Sequence, residues 1–181
     1  GSAFNDRLTG SNNAANTAEE FSGRAGDDLI DGLGGFDRSF YHNDNQTLSG
    51  IHVDLAMGDV TGDDAIGHDT LRSVEGIRGT NFVDTYDASN FGGAGFLDSF
   101  INNVGSFGTF NEFEGMGGDD VVTGNGNTRI AFYNALDGVT VDLSAGFSHG
   151  TGATDVAAVG TDTFTGLNAV RGSGVADIIT G

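Results

Sequence analysis

Polar and apolar residues alternate in short runs along this chain, and glycine and aspartate cut the runs apart. In Val53-Asp54-Leu55 the order is apolar, polar, apolar, which puts Val53 and Leu55 on one face of a strand and Asp54 on the other. The same order recurs at Val141-Asp142-Leu143, so Asp54 and Asp142 are expected to face solvent. Short strands joined by turns dominate the prediction. Two insertions interrupt them, residues 10–22 and 88–114, and the second holds Phe96, Leu97, Phe100, Ile101 and Val104 at helical spacing. That spacing predicts a short helix capping an open edge.

The chain also matches itself. The segment from Phe21 to Tyr41 aligns without a gap on Phe113 to Tyr133, with Gly23/Gly115, Gly26/Gly118, Asp27/Asp119, Asp28/Asp120, Gly32/Gly124 and Phe40/Phe132 identical. Both copies run on into similar sequels, Ile51 to Gly58 against Val139 to Gly146, then Gly67 to Thr80 against Gly160 to Ser173. A recurring unit of about 80 to 90 residues is the signature of a stacked architecture. Residues 1–78 are read as a first unit, 79–171 as a second and 172–181 as the start of a third, so the chain is expected to be a piece of a longer array.

Composition adds a requirement for cations. Among 181 residues, 26 are acidic and 7 are basic, and the formal charge of -19 opposes any compact state unless counter-charge is supplied. All the basic residues are arginines. This balance argues against nucleic acid, whose binding rests on neutralising phosphates, and against anionic membrane surfaces. No apolar run is long enough to span a bilayer, and no segment has the layout of a signal peptide, so no membrane insertion is expected. Cysteine is absent, which excludes disulfides and thiolate metal sites.

The segments Gly23 to Asp31 and Gly115 to Thr123 bring a family into view: they resemble the nonapeptide G-G-x-G-x-D-x-U-x of RTX (hemolysin-type) calcium-binding proteins. The matching positions are Gly23, Gly26, Asp28 and Ile30 in one copy and Gly115, Gly118, Asp120 and Val122 in the other, with Arg24 and Met116 in the place of the second glycine. Gly32 to Phe40 keeps Gly35 and Asp37, whereas Gly124 to Phe132 has Arg129 in the aspartate position, where its guanidinium can neutralise neighbouring carboxylates. Shorter matches surround Asp6, Asp69, Asp84, Asp162 and Asp177.

The resemblance implies an all-β, right-handed parallel β-roll or β-helix solenoid with calcium at its turns. It further implies a secreted or cell-surface protein, exported unfolded by a type I system and folding on extracellular calcium, as part of an adhesin or toxin. Calcium takes six to eight oxygens, a set that glycine-rich turns and aspartates can offer. Counting turns places Asp6, Asp28, Asp69, Asp84, Asp120, Asp162 and Asp177 on one edge and Asp37 on the other. The plainer role for each aspartate is to cap its own turn by hydrogen bonding. Beyond calcium, the expected partners are neighbouring repeats, a cell surface or polysaccharide. No catalytic motif appears, and the chain is read as no enzyme. The alternative is a polysaccharide-binding or polysaccharide-modifying β-helix module, for which Tyr41, His42 and Asp44 form the candidate cluster. Arg78 and Arg171, at matching positions, are expected to pair with carboxylates.

Overall fold

The structure, a computed structural model, describes residues 1–13, 17–42 and 46–181. Among these residues every regular element is a strand. They are β1 (Arg7–Asn12), β2 (Glu20–Phe21), β3 (Leu29–Gly34), β4 (Arg38–Phe40), β5 (His52–Asp54), β6 (Asp59–Thr61), β7 (His68–Arg72) and β8 (Gly76–Arg78). The second half of the chain adds β9 (Thr85–Asp87), β10 (Asn111–Glu114), β11 (Val121–Ala131), β12 (Val139–Asp142), β13 (Phe147–Gly150), β14 (Thr161–Arg171) and β15 (Ile178–Thr180). Together they form one 15-stranded sheet, barrel-like and nearly closed around a common core.

Two rows of strands meet in this sheet, because the long strands β11 and β14 belong to both. One row runs β1-β3-β7-β6-β5-β9-β11-β14-β13-β12-β15, and the other runs β2-β4-β8-β10-β11-β14. The second row is parallel throughout, with Phe21, Ser39, Ile77, Phe113 and Ile130 in register across it. Ile77, Phe113 and Ile130 point inward and meet the buried Ile30, Val53, Leu71, Tyr86 and Val122 of the first row. Each such side chain stabilises the fold by about 1.5 to 3 kcal/mol when fully buried.

Pairing in the first row is mixed, not parallel throughout as the sequence suggested. β5 pairs antiparallel with β6, which pairs antiparallel with β7, and β12, β13 and β14 repeat the arrangement. The cause lies in Asp54 and Asp142, which do not simply face water. The Asp54 carboxylate accepts the Met57 N–H at 3.0 Å, and that of Asp142 accepts those of Ser144 and Ala145 at 2.9 and 2.8 Å. An aspartate that bonds the backbone two or three residues on makes a tight turn, and here the turn reverses the chain.

The expected helix in residues 88–114 does not form. Glycines at 92, 93, 95, 105 and 108 disfavour it, and the segment is anchored by a side chain instead. Asn103 accepts the Val74 N–H at 3.0 Å and donates to the Val74 carbonyl at 2.7 Å, and so behaves as a strand partner. Phe91 is buried and Phe96 packs against the core, whereas Leu97, Phe100 and Ile101 are exposed.

The gapless alignment of the two copies also slips by one residue. Register equates Arg38 with Arg129 and Ser39 with Ile130, through Gly76 and Glu112 in one case and Ile77 and Phe113 in the other. The loop Gly32 to Asp37 is thus one residue longer than Gly124 to Thr128. Thr128, not Arg129, stands where Asp37 does.

Candidate functional site

Aspartates at the start of the first-row strands form a ladder. The Asp28 carboxylate accepts the backbone N–H of Asp6 at 2.7 Å, and that of Asp69 accepts the N–H of Asp28 at 3.0 Å. After the first hairpin the pattern resumes: Asp84 caps Ile51 at 2.8 Å, Asp120 caps Asp84 at 2.8 Å and Asp162 caps Asp120 at 3.1 Å. After the second hairpin Asp177 caps Val139 at 2.9 Å. One edge therefore carries Asp6, Asp28 and Asp69, then Asp84, Asp120 and Asp162, then Asp177, with an antiparallel hairpin at each break.

Just outside this ladder runs a second one of opposite direction. Asn5 accepts the N–H of Asp27, Asp27 that of His68, and Asp119 that of Thr161, at 3.0, 3.1 and 2.8 Å. Asp37 lies on the other edge, where its carboxylate caps the Glu19 N–H at 3.1 Å and its own N–H donates to Glu75 at 2.9 Å. Glu75 holds a capping position that a motif of aspartates does not mark. Its longer side chain does the same work from the same register, and Asn111 and Thr128 continue the row.

The glycines are explained by these carboxylates. An alanine Cβ at Gly23, Gly79, Gly115 or Gly172 would overlap the second carboxylate oxygen of the aspartate five residues on, respectively Asp28, Asp84, Asp120 and Asp177. Gly26 and Gly118 serve differently, since their φ angles of 113° and 112° lie where L side chains are strained. Arg24 and Met116 hold the left-handed conformation as well, at φ 72° and 73°, without being glycine. A side chain in that conformation costs on the order of 1 kcal/mol. Met116→Gly, and Arg24→Gly likewise, is therefore expected to raise stability by about 0.5 to 1 kcal/mol, as read by urea denaturation.

Burial leaves the ladder electrostatically expensive. The Oδ2 atoms of Asp28, Asp37, Asp69 and Asp120 are buried without a hydrogen-bond partner. Burial raises the Asp120 pKa to about 9, with the Asp162 and Asp84 charges adding to the effect. For the same first reason Asp69 and Asp162 rise to about 7, and Asp84 and Asp37 to about 6. Asp6 is shifted the other way, lowered by the backbone N–H of Ser2.

The two copies treat the third rung differently. In the second, Asp162 Oδ2 accepts the Ser148 hydroxyl at 2.9 Å. In the first, Val60 stands at that register, and the opposite row carries Ser39 and Tyr41 where the other copy has Ile130 and Phe132. The Tyr41 hydroxyl is consequently interior, where burial and then the Asp69 charge push its pKa well up. Tyr41 is thus closed off from any polymer at the surface, and Asp44 lies outside the described residues.

Calcium fits these donors in kind but not in number. The orphaned oxygens are hard and anionic, as calcium prefers, yet on this edge only Asp28, Asp69 and Asp120 offer one each, and calcium takes six to eight. Among the described residues no three acidic or histidine side chains converge as a metal cluster. Asp28, Asp69, Asp84, Asp120, Asp162 and Asp177 instead each spend Oδ1 on a backbone N–H.

On the outer face of the second row the arginines gather around glutamates that sequence reading did not single out. Glu112 is gripped by Arg38, at 3.1 Å, and by Arg129, and Glu114 accepts Arg78 Nε at 2.6 Å. Arg129 thus neutralises a carboxylate, though from the Arg38 position and not from an aspartate's. Known protein families and curated proteins give no match to this chain.

Proposed function

We propose that the chain is a structural β-solenoid module of a secreted or cell-surface protein, RTX-like in its turns and stabilised by calcium through its carboxylate edge. The observation that carries this reading is the set of buried, unpartnered oxygens on Asp28, Asp69 and Asp120 in a chain of formal charge -19. A buried carboxylate oxygen without a donor must take a proton or a cation, because an isolated charge in a protein interior is costly. Repetition supports the stacked reading: β1, β3 and β7 repeat as β9, β11 and β14, each time followed by the same hairpin. Among the described residues no helix is long and apolar enough to cross a membrane.

A metal-free version of the same module is favoured by a different observation, the engagement of Oδ1 with backbone N–H at every ladder aspartate from Asp28 to Asp177. A calcium titration of chelator-treated protein separates the two. Under the calcium reading, far-ultraviolet circular dichroism is expected to become more β-rich and the melting temperature to rise with calcium but not with magnesium. Saturation at about 100 times Kd corresponds to about 2.7 kcal/mol. A β-rich apo protein whose melting temperature calcium leaves unmoved would establish the metal-free version.

A further inference from the structure

We infer that the free edge of β14 is a docking edge for a parallel strand of the form glutamate, apolar residue, glutamate, supplied by polypeptide outside these 181 residues. The inference rests on the stacked reading above, and it begins from a difference between two equivalent arginines. Arg78 is held from both sides. Its register partner on β4, Phe40, lies beneath it with the ring centre 4.1 Å from the guanidinium carbon, and its partner on β10, Glu114, accepts its Nε–H from above at 2.6 Å.

Arg171 stands at the matching place, in Ala169-Val170-Arg171-Gly172 against Gly76-Ile77-Arg78-Gly79. The lower half of the arrangement is occupied there by a shared ring: Tyr133, whose centre lies 4.7 Å from the Arg171 guanidinium carbon and 4.9 Å from that of Arg78, with Ala131 as the register partner on β11. The upper half is open. β13 covers only Thr161 to Thr163, so Leu167 to Arg171 have a strand neighbour on the β11 side alone. Arg171 is exposed, and among the described residues no carboxylate pairs with it. Val170 is only half-buried, whereas its counterpart Ile77 is enclosed.

This edge thus offers unpaired backbone groups, an apolar seat and a cation, each of which has a filled equivalent at β8. There the occupant is β10, whose Glu112, Phe113 and Glu114 lie against Gly76, Ile77 and Arg78. Strand addition draws affinity from the main chain and specificity from alternate side chains. A second copy of this chain does not supply the same strand: β10 is enclosed between β8 and β11, and the edge strand β2 continues into Ser22 where the second glutamate belongs.

The test uses a fluorescent peptide with the sequence of residues 110–116 and anisotropy at low ionic strength. Saturable binding is expected, weakened about tenfold or more by Arg171→Glu and by lysine in place of the second glutamate of the peptide. The reversed pair, Arg171→Glu with the lysine peptide, is expected to recover affinity. Absence of saturable binding, or binding indifferent to Arg171→Glu, overturns the proposal, as does self-association in sedimentation that Arg171→Glu abolishes. Hydrogen exchange of the free protein isolates the underlying reading: residues 161–163, paired on both sides, should be protected, and residues 167–171 less so. Loss of protection throughout β11 and β14 would instead sink the stacked fold itself.

Discussion

Gly115→Ala is expected to cost about 3 kcal/mol or more, a large share of the roughly 5 to 15 kcal/mol that keeps a domain folded. The added Cβ would overlap Asp120 Oδ2, and Asp120 cannot swing aside, because its other oxygen holds the Asp84 N–H at 2.8 Å. Relief must come either from moving the backbone of two rungs or from releasing that hydrogen bond, which leaves a buried N–H unsatisfied at about 1 to 3 kcal/mol. Gly95→Ala supplies the control, since nothing lies within 4 Å of the added atom there. It is expected to change stability by less than about 0.5 kcal/mol. The decisive comparison is the double variant. Asp120→Ala alone removes the cap from Asp84, but once the carboxylate is gone Gly115→Ala has nothing to strike. The two changes should therefore fall short of additivity by about 2 kcal/mol in chemical denaturation. Additive losses would place the role of Gly115 in backbone freedom and not in the close approach of Asp120.

That pairing of Gly115 with Asp120 is the kind of feature a sequence displays, since both partners sit at fixed spacing inside one short turn. The division of aspartates between two edges was legible for the same reason: counting turns needs only the spacing. The hairpins were not. Val53-Asp54-Leu55 alternates identically whether its neighbour runs parallel or antiparallel, and direction is decided by how the Asp54 carboxylate closes the following turn. The one-residue slip between copies was hidden because Phe40 and Phe132 match by identity while occupying different registers, and only pairing through Gly76 and Glu112 equates Arg38 with Arg129. In residues 88–114 a true helical spacing failed to predict a helix, because Asn103 bonding to Val74 fixes the segment along another path. Glu75 is invisible to a motif made of aspartates, although the backbone N–H of Asp37 donates to a longer carboxylate equally well.

Metal-free protein is expected to be most stable near about pH 4 and to lose stability steadily toward pH 9, the reverse of an ordinary acidic protein held by salt bridges. A carboxyl whose folded pKa exceeds its unfolded value, near 3.9, binds its proton more tightly in the native state. Its contribution is complete below the unfolded pKa and is lost as pH rises through the folded one. Asp37 and Asp84 then act up to about pH 6, Asp69 and Asp162 up to about 7, and Asp120 up to about 9. Opposing them, Asp63 is lowered by the Leu48 N–H and Asp142 by the Ala145 N–H, and what these two contribute disappears as pH falls through their folded values. That sets the acid limit of the optimum. Asp120→Asn separates the ladder from the general repulsion of a highly charged chain, since it keeps an oxygen acceptor for the Asp84 N–H and removes one buried charge. It should raise stability at about pH 8 by roughly 1 to 3 kcal/mol, leave it little changed at about pH 4, and flatten the slope between. Calcium seated on these oxygens would remove the same alkaline loss from the unaltered protein and add little to the Asn variant. An alkaline loss undiminished by Asp120→Asn would place the pH dependence on the surface charge, and the buried ladder would then be a set of neutral caps with no affinity for cations.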